Sequence, residues 1–301
     1  MKIGMIGLGR MGMNMARRLM LGGHQVVAYN RSPDKTQEIM SEGAEGGFSL
    51  PELVEKLDLP PRVVWLMLPA GKAVDEHLEK LRNILSPGDI IVEGGNSRHR
   101  DDIRRAAYLK GAGIHFIDAG VSGGIWGLSV GYCTMVGGEE KIFQYLEPVF
   151  KSLAPADGYL YCGPTGAGHF VKMIHNGIEY GMMQAYGEGF ALLEASPYAE
   201  HLDFNKISHL WNQGSVIRSW LLELLEDAFA KDPRLDELSG YVDDSGEGRW
   251  TVEEAIASGV SAPVITMALF QRFQSRRENA FENRVLAALR REFGGHAVKK
   301  G

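Results

Sequence analysis

The chain is poor in cysteine: Cys133 and Cys162 are the only two. Two thiols without close spacing make neither a zinc site nor a disulfide framework. Both are expected to be inert buried thiols, the usual state of a free cysteine. A basic excess is also missing, since 32 basic against 38 acidic residues leave a formal net charge of −6. Nothing in that balance recommends a nucleic-acid partner. No apolar run approaches the ~20 residues needed to span a bilayer. The opening Met1–Gly7 reads as a strand rather than a signal peptide, so a cytoplasmic protein is expected. Internal repeats, low-complexity tracts and any spacing of ligands that suggests a metal are absent from the sequence. The 301 residues, 45% of them hydrophobic, suffice for one large domain or two ordinary ones.

What is present falls into two textures. Through the first half, short apolar runs alternate with amphipathic helical stretches. The runs Lys2–Ile6, Gln25–Tyr29, Val63–Leu68, Ile90–Glu93, His115–Ala119, Tyr132–Val136 and Tyr159–Tyr161 read as strands. The segments Met11–Leu21, Asp34–Glu42, Val74–Ile84 and Arg100–Lys110 between them read as helices. That alternation implies βαβ units and a mainly parallel, doubly wound sheet. After Gly163 the strands stop. Gly166–Leu193 is one long proline-free helical candidate, followed by helical patterns over Phe204–Trp211, Ser219–Ala230, Val252–Ser258 and Pro263–Arg290. The expected fold is α/β: a Rossmann-type domain over 1–164 and an all-helical domain over 165–301, the last five residues forming a mobile tail.

Gly7-Leu8-Gly9-Arg10-Met11-Gly12 lies between the first strand and the first helix, the context that makes such a glycine pattern a dinucleotide fingerprint. Gly7 permits the turn, Gly9 the approach of a pyrophosphate, and Gly12 close packing of helix on strand. The second strand ends in Asn30-Arg31-Ser32, where an NAD enzyme usually carries an acid. Without that carboxylate, Arg31 can pair with a 2′-phosphate, and Asn30 and Ser32 can donate to it. NADP is therefore favoured over NAD.

In open α/β sheets, ligands bind outside the carboxyl ends of the strands. Leu68 opens one such loop. Asn96 in Gly94-Gly95-Asn96-Ser97 can bond a nicotinamide carboxamide or a substrate hydroxyl. Ser122, Gly123 and Gly124 form a candidate nest for a carboxylate. The most informative residues are Lys172, His175, Asn176 and Glu179, spaced 0, 3, 4 and 7 along one helical face. Their neighbours Phe170, Val171, Met173, Ile174, Ile178 and Met182 are apolar, so a helix that reads as buried carries one polar stripe. A base and an acid on that stripe suit removal of one proton and delivery of another. A structural Lys–Glu pair is the competing reading.

Taken together, these motifs resemble 6-phosphogluconate dehydrogenases, in the short form of roughly 300 residues found in bacteria. The carriers of the likeness are Gly7–Gly12, Asn30–Ser32, Gly94–Ser97, Asp118–Gly124 and above all Gly166–Gly181. The wider β-hydroxyacid dehydrogenases share the glycine motif, the Ser-Gly-Gly loop, the Lys and the Asn. The continuation His175-Asn176-Gly177-Ile178-Glu179-Tyr180 is similar to the 6-phosphogluconate branch. The resemblance implies oxidative decarboxylation of 6-phosphogluconate to ribulose 5-phosphate, as in the pentose phosphate pathway, with NADP. It implies Lys172 as general base and Glu179 as general acid. His175 and Asn176 would hold the sugar acid, Ser122, Gly123 and Gly124 its carboxylate, and Tyr180 and Arg272 its phosphate. Arg290 and His296 would reach the substrate of a neighbouring subunit, making the protein a homo-oligomer, dimer or tetramer.

One stretch departs from the family. The long enzymes carry Lys-Gly-Thr-Gly-x-Trp, and this chain has Ser245-Gly246-Glu247-Gly248-Arg249-Trp250. Glu247 would repel a phosphate unless it faces away. Two rival readings stand beside the first: a 3-hydroxyisobutyrate-type dehydrogenase that does not decarboxylate, and a non-catalytic NADP-sensing protein.

Overall fold

The computed structural model describes residues 1–57 and 60–294, with side chains to Glu292. Eight strands form one sheet in the order β3-β2-β1-β4-β5-β6-β7-β8. They are β1 Lys2–Ile6, β2 Gln25–Tyr29, β3 Glu45–Gly46, β4 Val63–Leu66, β5 Ile90–Glu93, β6 His115–Ser122, β7 Cys133–Gly138 and β8 Tyr159–Gly163. Neighbouring strands run parallel, except that β6 and β7 pair antiparallel. The helices are α1 Arg10–Leu21, α2 Pro33–Met40, α3 Leu50–Glu55, α4 Lys72–Arg82, α5 His99–Lys110, α6 Gly127–Val130, α7 Glu140–Leu153 and α8 Ala167–Glu194. Five more follow: α9 Phe204–Asn212, α10 Trp220–Lys231, α11 Glu247–Ser258, α12 Pro263–Ser275 and α13 Phe281–Gly294.

The central strands are apolar without a break because both of their faces are covered. Ile3, Met5, Val63, Trp65, Ile90 and Val92 point to one side, where α1 and α7 supply Met15, Leu19, Leu146 and Phe150. Ile6, Val64, Leu66 and Ile91 point to the other, under Leu53, Leu78, Leu81 and Leu109 of α3, α4 and α5. This two-sided burial is the Rossmann-type architecture expected from the alternating pattern. β3 and α3 were not expected; β3 has two residues, too short to carry a period.

The chain divides into two compact units, Met1–His175 and Asn176–Gly301, so the division falls inside α8. The reason lies in the first turns of that helix. A Cβ on Gly168 would stand 2.5 Å from the Met135 carbonyl oxygen and 2.6 Å from that of Asp118. A Cβ on Gly120 would overlap Lys172. The two glycines let α8 press directly onto β6 and β7. The second unit is helical, with one core of Phe190, Phe204, Leu222 and Phe229 and another of Tyr180, Ala268 and Leu269.

Three expectations are corrected. Cys133 is exposed and Cys162 half-buried, because they lie at a strand start and near the sheet edge. Burial nonetheless raises both thiol pKa values, in Cys133 against the pull of Lys172. The stretch Pro263–Arg290 is two helices: the first ends at Ser275, capped by Arg276, and after Asn279 at a left-handed φ of 46° Ala280 opens a new turn. Finally, α8 is only partly the buried apolar helix expected, for Met173 is buried but several other apolar side chains are not. Lys172 and Asn176 are buried, whereas Val171, Ile178, Met182 and Met183 are exposed. No described helix is long and apolar enough to cross a membrane.

Candidate functional site

The glycine loop sits where β1 is flanked by β2 and β4, the point at which the strand order reverses. Gly7 has φ 95°, and a Cβ there would overlap the Met67 carbonyl oxygen. A Cβ on Gly12 would overlap the carbonyl oxygen of Gly7. Gly9 caps α1, and a Cβ on it would meet nothing within 4 Å. Open space in front of a helix N-terminus fits a dinucleotide pyrophosphate. Leu8 is buried, Met11 half-buried and Arg10 exposed.

Asn30 also makes internal bonds. Its side-chain oxygen accepts from the Leu8 amide at 2.9 Å, and its Nδ2 donates to the Ser32 carbonyl at 3.2 Å. It therefore braces the glycine loop against the start of α2. Arg31 and Ser32 are left as the exposed groups at the end of β2.

The other strand-end loops converge in the same unit. Leu68 is half-buried after β4, and Asn96 is exposed after β5. Ser122 ends β6 opposite Cys133. Gly123 and Gly124 follow at φ 137° and 54°, a conformation open to glycine and costly for other residues. Lys172 is 5% exposed, and its Cβ lies against the backbone of Gly120, two residues before Ser122. Along α8, Lys172, His175, Asn176 and Glu179 keep the expected spacing within one unbroken helix. His175 and Glu179 are half-buried.

In the second unit the altered signature turns inward. Glu247 is 2% exposed at the start of α11. Its Oε2 accepts from Asn176 Nδ2 in a short hydrogen bond and from Ser245 Oγ at 3.0 Å. The Ser245 amide donates to Tyr180 Oη at 3.2 Å. Asn176, Glu247, Ser245 and Tyr180 thus form one hydrogen-bonded chain. Donors and a helix N-terminus make a buried carboxylate tolerable there. The Arg272 guanidinium stacks 3.6 Å from the Tyr180 ring centroid and donates to the Asp243 carbonyl at 2.8 Å. Arg249 and Arg276 share Asp244, whose pKa the Arg249 hydrogen bond and Arg276 draw down to about 2. Arg290 is exposed on α13, and His296 lies outside the described residues.

Sequence reasoning missed a buried polar group in the first unit: Glu93, Asp102, Arg105, Asp118 and His169. A signal was available. Glu93 and Asp118 are acids inside otherwise apolar strand runs, and His169 precedes Lys172 by three residues on the same helical face.

Sheet order, glycine loop and strand-end loops define a Rossmann-type nucleotide-binding domain followed by a helical C-terminal domain. Residues 2–163 match the NAD binding domain of 6-phosphogluconate dehydrogenase, and residues 168–296 match the 6-phosphogluconate dehydrogenase C-terminal domain. The chain belongs to the 6-phosphogluconate dehydrogenase family. It is 49% identical to a protein provisionally named 6-phosphogluconate dehydrogenase YqeC of Bacillus subtilis (strain 168), over 100% of both chains. It is 42% identical to the NAD(+)-dependent, decarboxylating 6-phosphogluconate dehydrogenase of Haloferax volcanii, over 100% of this chain and 99% of that one. Among solved structures, Plasmodium falciparum 6-phosphogluconate dehydrogenase, described with its cofactor NADP+ and substrate 6-phosphogluconate, matches with a TM-score of 0.84 at 29% identity. The match covers 100% of this chain and 66% of that longer one.

Proposed function

We propose that the chain catalyses oxidative decarboxylation of 6-phosphogluconate to ribulose 5-phosphate and CO₂. The observation that carries this reading is the polar stripe of α8, with Lys172 buried against Gly120 beside the Ser122–Gly124 loop. Bound at the Gly7–Gly12 loop, the nicotinamide nucleotide supplies a hydride acceptor. Lys172 takes the proton of the carbon-3 hydroxyl as general base. The role requires Lys172 to enter this step as the neutral amine. The β-keto acid then loses CO₂, with the protonated Lys172 bonded to the ketone oxygen. Glu179 delivers a proton to carbon 1 of the enediol. Ser122, Gly123 and Gly124 hold the substrate carboxylate, and His175 and Asn176 its hydroxyls.

Glu247 and Ser245 serve as a bracket for Asn176 and Tyr180 rather than as phosphate ligands. The phosphate charge is met by Arg272 beside Tyr180. The exposed, apolar Val171, Ile178, Met182 and Met183 of α8 support a homo-oligomer, a dimer or tetramer, in which Arg290 and His296 reach a neighbouring site. We keep 1–164 as the nucleotide domain and 165–301 as the substrate and oligomerisation domain.

NADP+ is the preferred cofactor in this reading, supported by exposed Arg31 and the absence of an acid at the end of β2. NAD+ is the second reading, favoured by the name of the Haloferax relative. Reduced-nicotinamide absorbance with 6-phosphogluconate, run with each nucleotide in turn, tests both points. CO₂ release with a higher kcat/KM for NADP+ is expected. A higher value for NAD+ reverses the cofactor assignment, and no turnover with either removes the substrate assignment.

A further inference from the structure

The proposed mechanism leaves unused one buried cluster of ionisable groups in the first unit: Glu93 on β5, Asp102 and Arg105 on α5, Asp118 on β6 and His169 on α8. Each of the five fixes backbone or side chains next to a site residue. Asp118 accepts from the Gly166 amide at 2.7 Å and the His169 amide at 3.0 Å, holding the first turn of α8. Glu93 accepts from the Gly95 amide at 2.9 Å. His169 Nε2 lies 2.9 Å from the Gly95 carbonyl oxygen, and its Nδ1 lies 2.7 Å from Asp102 Oδ2. Arg105 donates to Ser97 Oγ at 3.0 Å, to Asp102 at 3.4 Å, to the Gly71 carbonyl at 3.2 Å and to Asp75 at 2.8 Å. Both polar atoms of the Gly95 backbone are thus committed, one residue before Asn96. His169 stands three residues before Lys172 on α8.

The proton positions follow from the partners. A carbonyl oxygen only accepts, so Nε2 carries a hydrogen. Nδ1 faces a carboxylate. Three buried acids surround the ring and Arg105, and a cationic imidazole would be stabilised among them. Burial alone would lower the His169 pKa, but Asp102, then Glu93 and Asp118, outweigh it and hold it up at about 10. Burial raises Asp102 to about 6, against the pull of His169. Between those values both groups are charged. Glu93, Asp102 and His169 also bring potential metal-ligating atoms within 4.8 Å of one another. A cation there would have to displace the Nδ1 proton from its 2.7 Å contact with Asp102.

We propose that His169 is a positioning residue: as an imidazolium with a proton on each ring nitrogen, it ties Gly95, and so Asn96, to the turn of α8 that carries Lys172. The functional consequence rests on the roles proposed above for Asn96 and Lys172, whereas the protonation state does not.

The test has two independent arms. In ¹⁵N-histidine NMR of the full chain, the signal lost in His169→Asn should show both nitrogens protonated, unchanged from about pH 7 to pH 9. A neutral tautomer in that range, or a shift of that signal on adding Zn²⁺ alone, overturns the proposal. In the second arm, NADPH affinity is followed by its fluorescence. His169→Gln places an amide near the Nε2 position and His169→Asn near the Nδ1 position. His169→Asn should weaken NADPH binding about tenfold, and His169→Gln should restore it to within about threefold of the parent. Equal affinities in all three proteins, with only the melting temperature changed, reduce His169 to a structural residue and overturn its positioning role. If both arms hold and 6-phosphogluconate is not turned over, the substrate assignment fails while the positioning role stands.

Discussion

Replacing Glu247 with Gln tests how the altered signature works. The side chain keeps its shape and one acceptor oxygen but loses its charge. A hydrogen bond to a charged acceptor contributes ~1.5–3 kcal/mol and one to a neutral acceptor ~0.5–1.5 kcal/mol, so each bond from Asn176 and Ser245 weakens by ~1 kcal/mol. If both losses are felt as freedom of Asn176 and Tyr180, about 2 kcal/mol is at stake, a ceiling of about 30-fold on sugar-acid binding. Adjacent bonds are not additive, so a rise in KM of about 5- to 30-fold is expected, with a smaller change in kcat. The opposite sign is also physically defined. Were Glu247 turned toward the substrate phosphate, removing its charge would relieve repulsion and lower KM. The assay is initial rate against 6-phosphogluconate at saturating nucleotide, with a thermal melt beside it. Glu247→Ala leaves Asn176 Nδ2 and Ser245 Oγ without this acceptor and should raise KM further. An unchanged or lowered KM in Glu247→Gln refutes the bracket.

Other outcomes follow from the same geometry. Lys172→Met should abolish turnover while NADPH still binds with parental affinity; measurable kcat in that variant would remove Lys172 as the base. Glu179→Gln should slow pentose formation more than it changes KM, read in single-turnover product analysis. Gly120→Ala drives a methyl into Lys172 and to 3.0 Å from the Gly168 carbonyl oxygen. Overpacking of this kind costs about 1–3 kcal/mol, so a lower melting temperature and a reduced kcat should appear together. Asp244 has its pKa depressed from 3.8 to about 2 by Arg249 and Arg276. Its stabilisation is therefore present above about pH 4 and lost as pH falls through about 2. Asp244→Asn should melt lower than the parent at pH 7, with the gap closing toward pH 2.

Legibility followed range. The strands Lys2–Ile6, Gln25–Tyr29 and Ile90–Glu93 match their expected limits because each is an apolar run cut off by glycine, asparagine or a loop. The Gly7–Gly12 loop was legible because each glycine answers a local steric demand. By contrast, nothing local shows that Asn30 also acts as a strut, since its partner Leu8 lies 22 positions away. Likewise, Pro263–Arg290 reads as one helix, and a break over 276–280 that includes the left-handed Asn279 divides it.

The sequence by itself determined the doubly wound sheet, the place of the nucleotide loop and the register of Lys172, His175, Asn176 and Glu179 along α8. These depend on period and on neighbours within a few residues. Only the tertiary structure decided which side of α8 is covered. Periodicity says which residues share a face but not what that face meets; here the buried side holds Lys172 and Asn176, and Ile178 and Met182 are exposed. It also decided what the acids do. Glu247 finds Asn176 at 71 positions' distance and Asp102 finds His169 at 67. Whether a buried carboxylate repels, braces or holds a proton depends on such partners, and no local pattern records them.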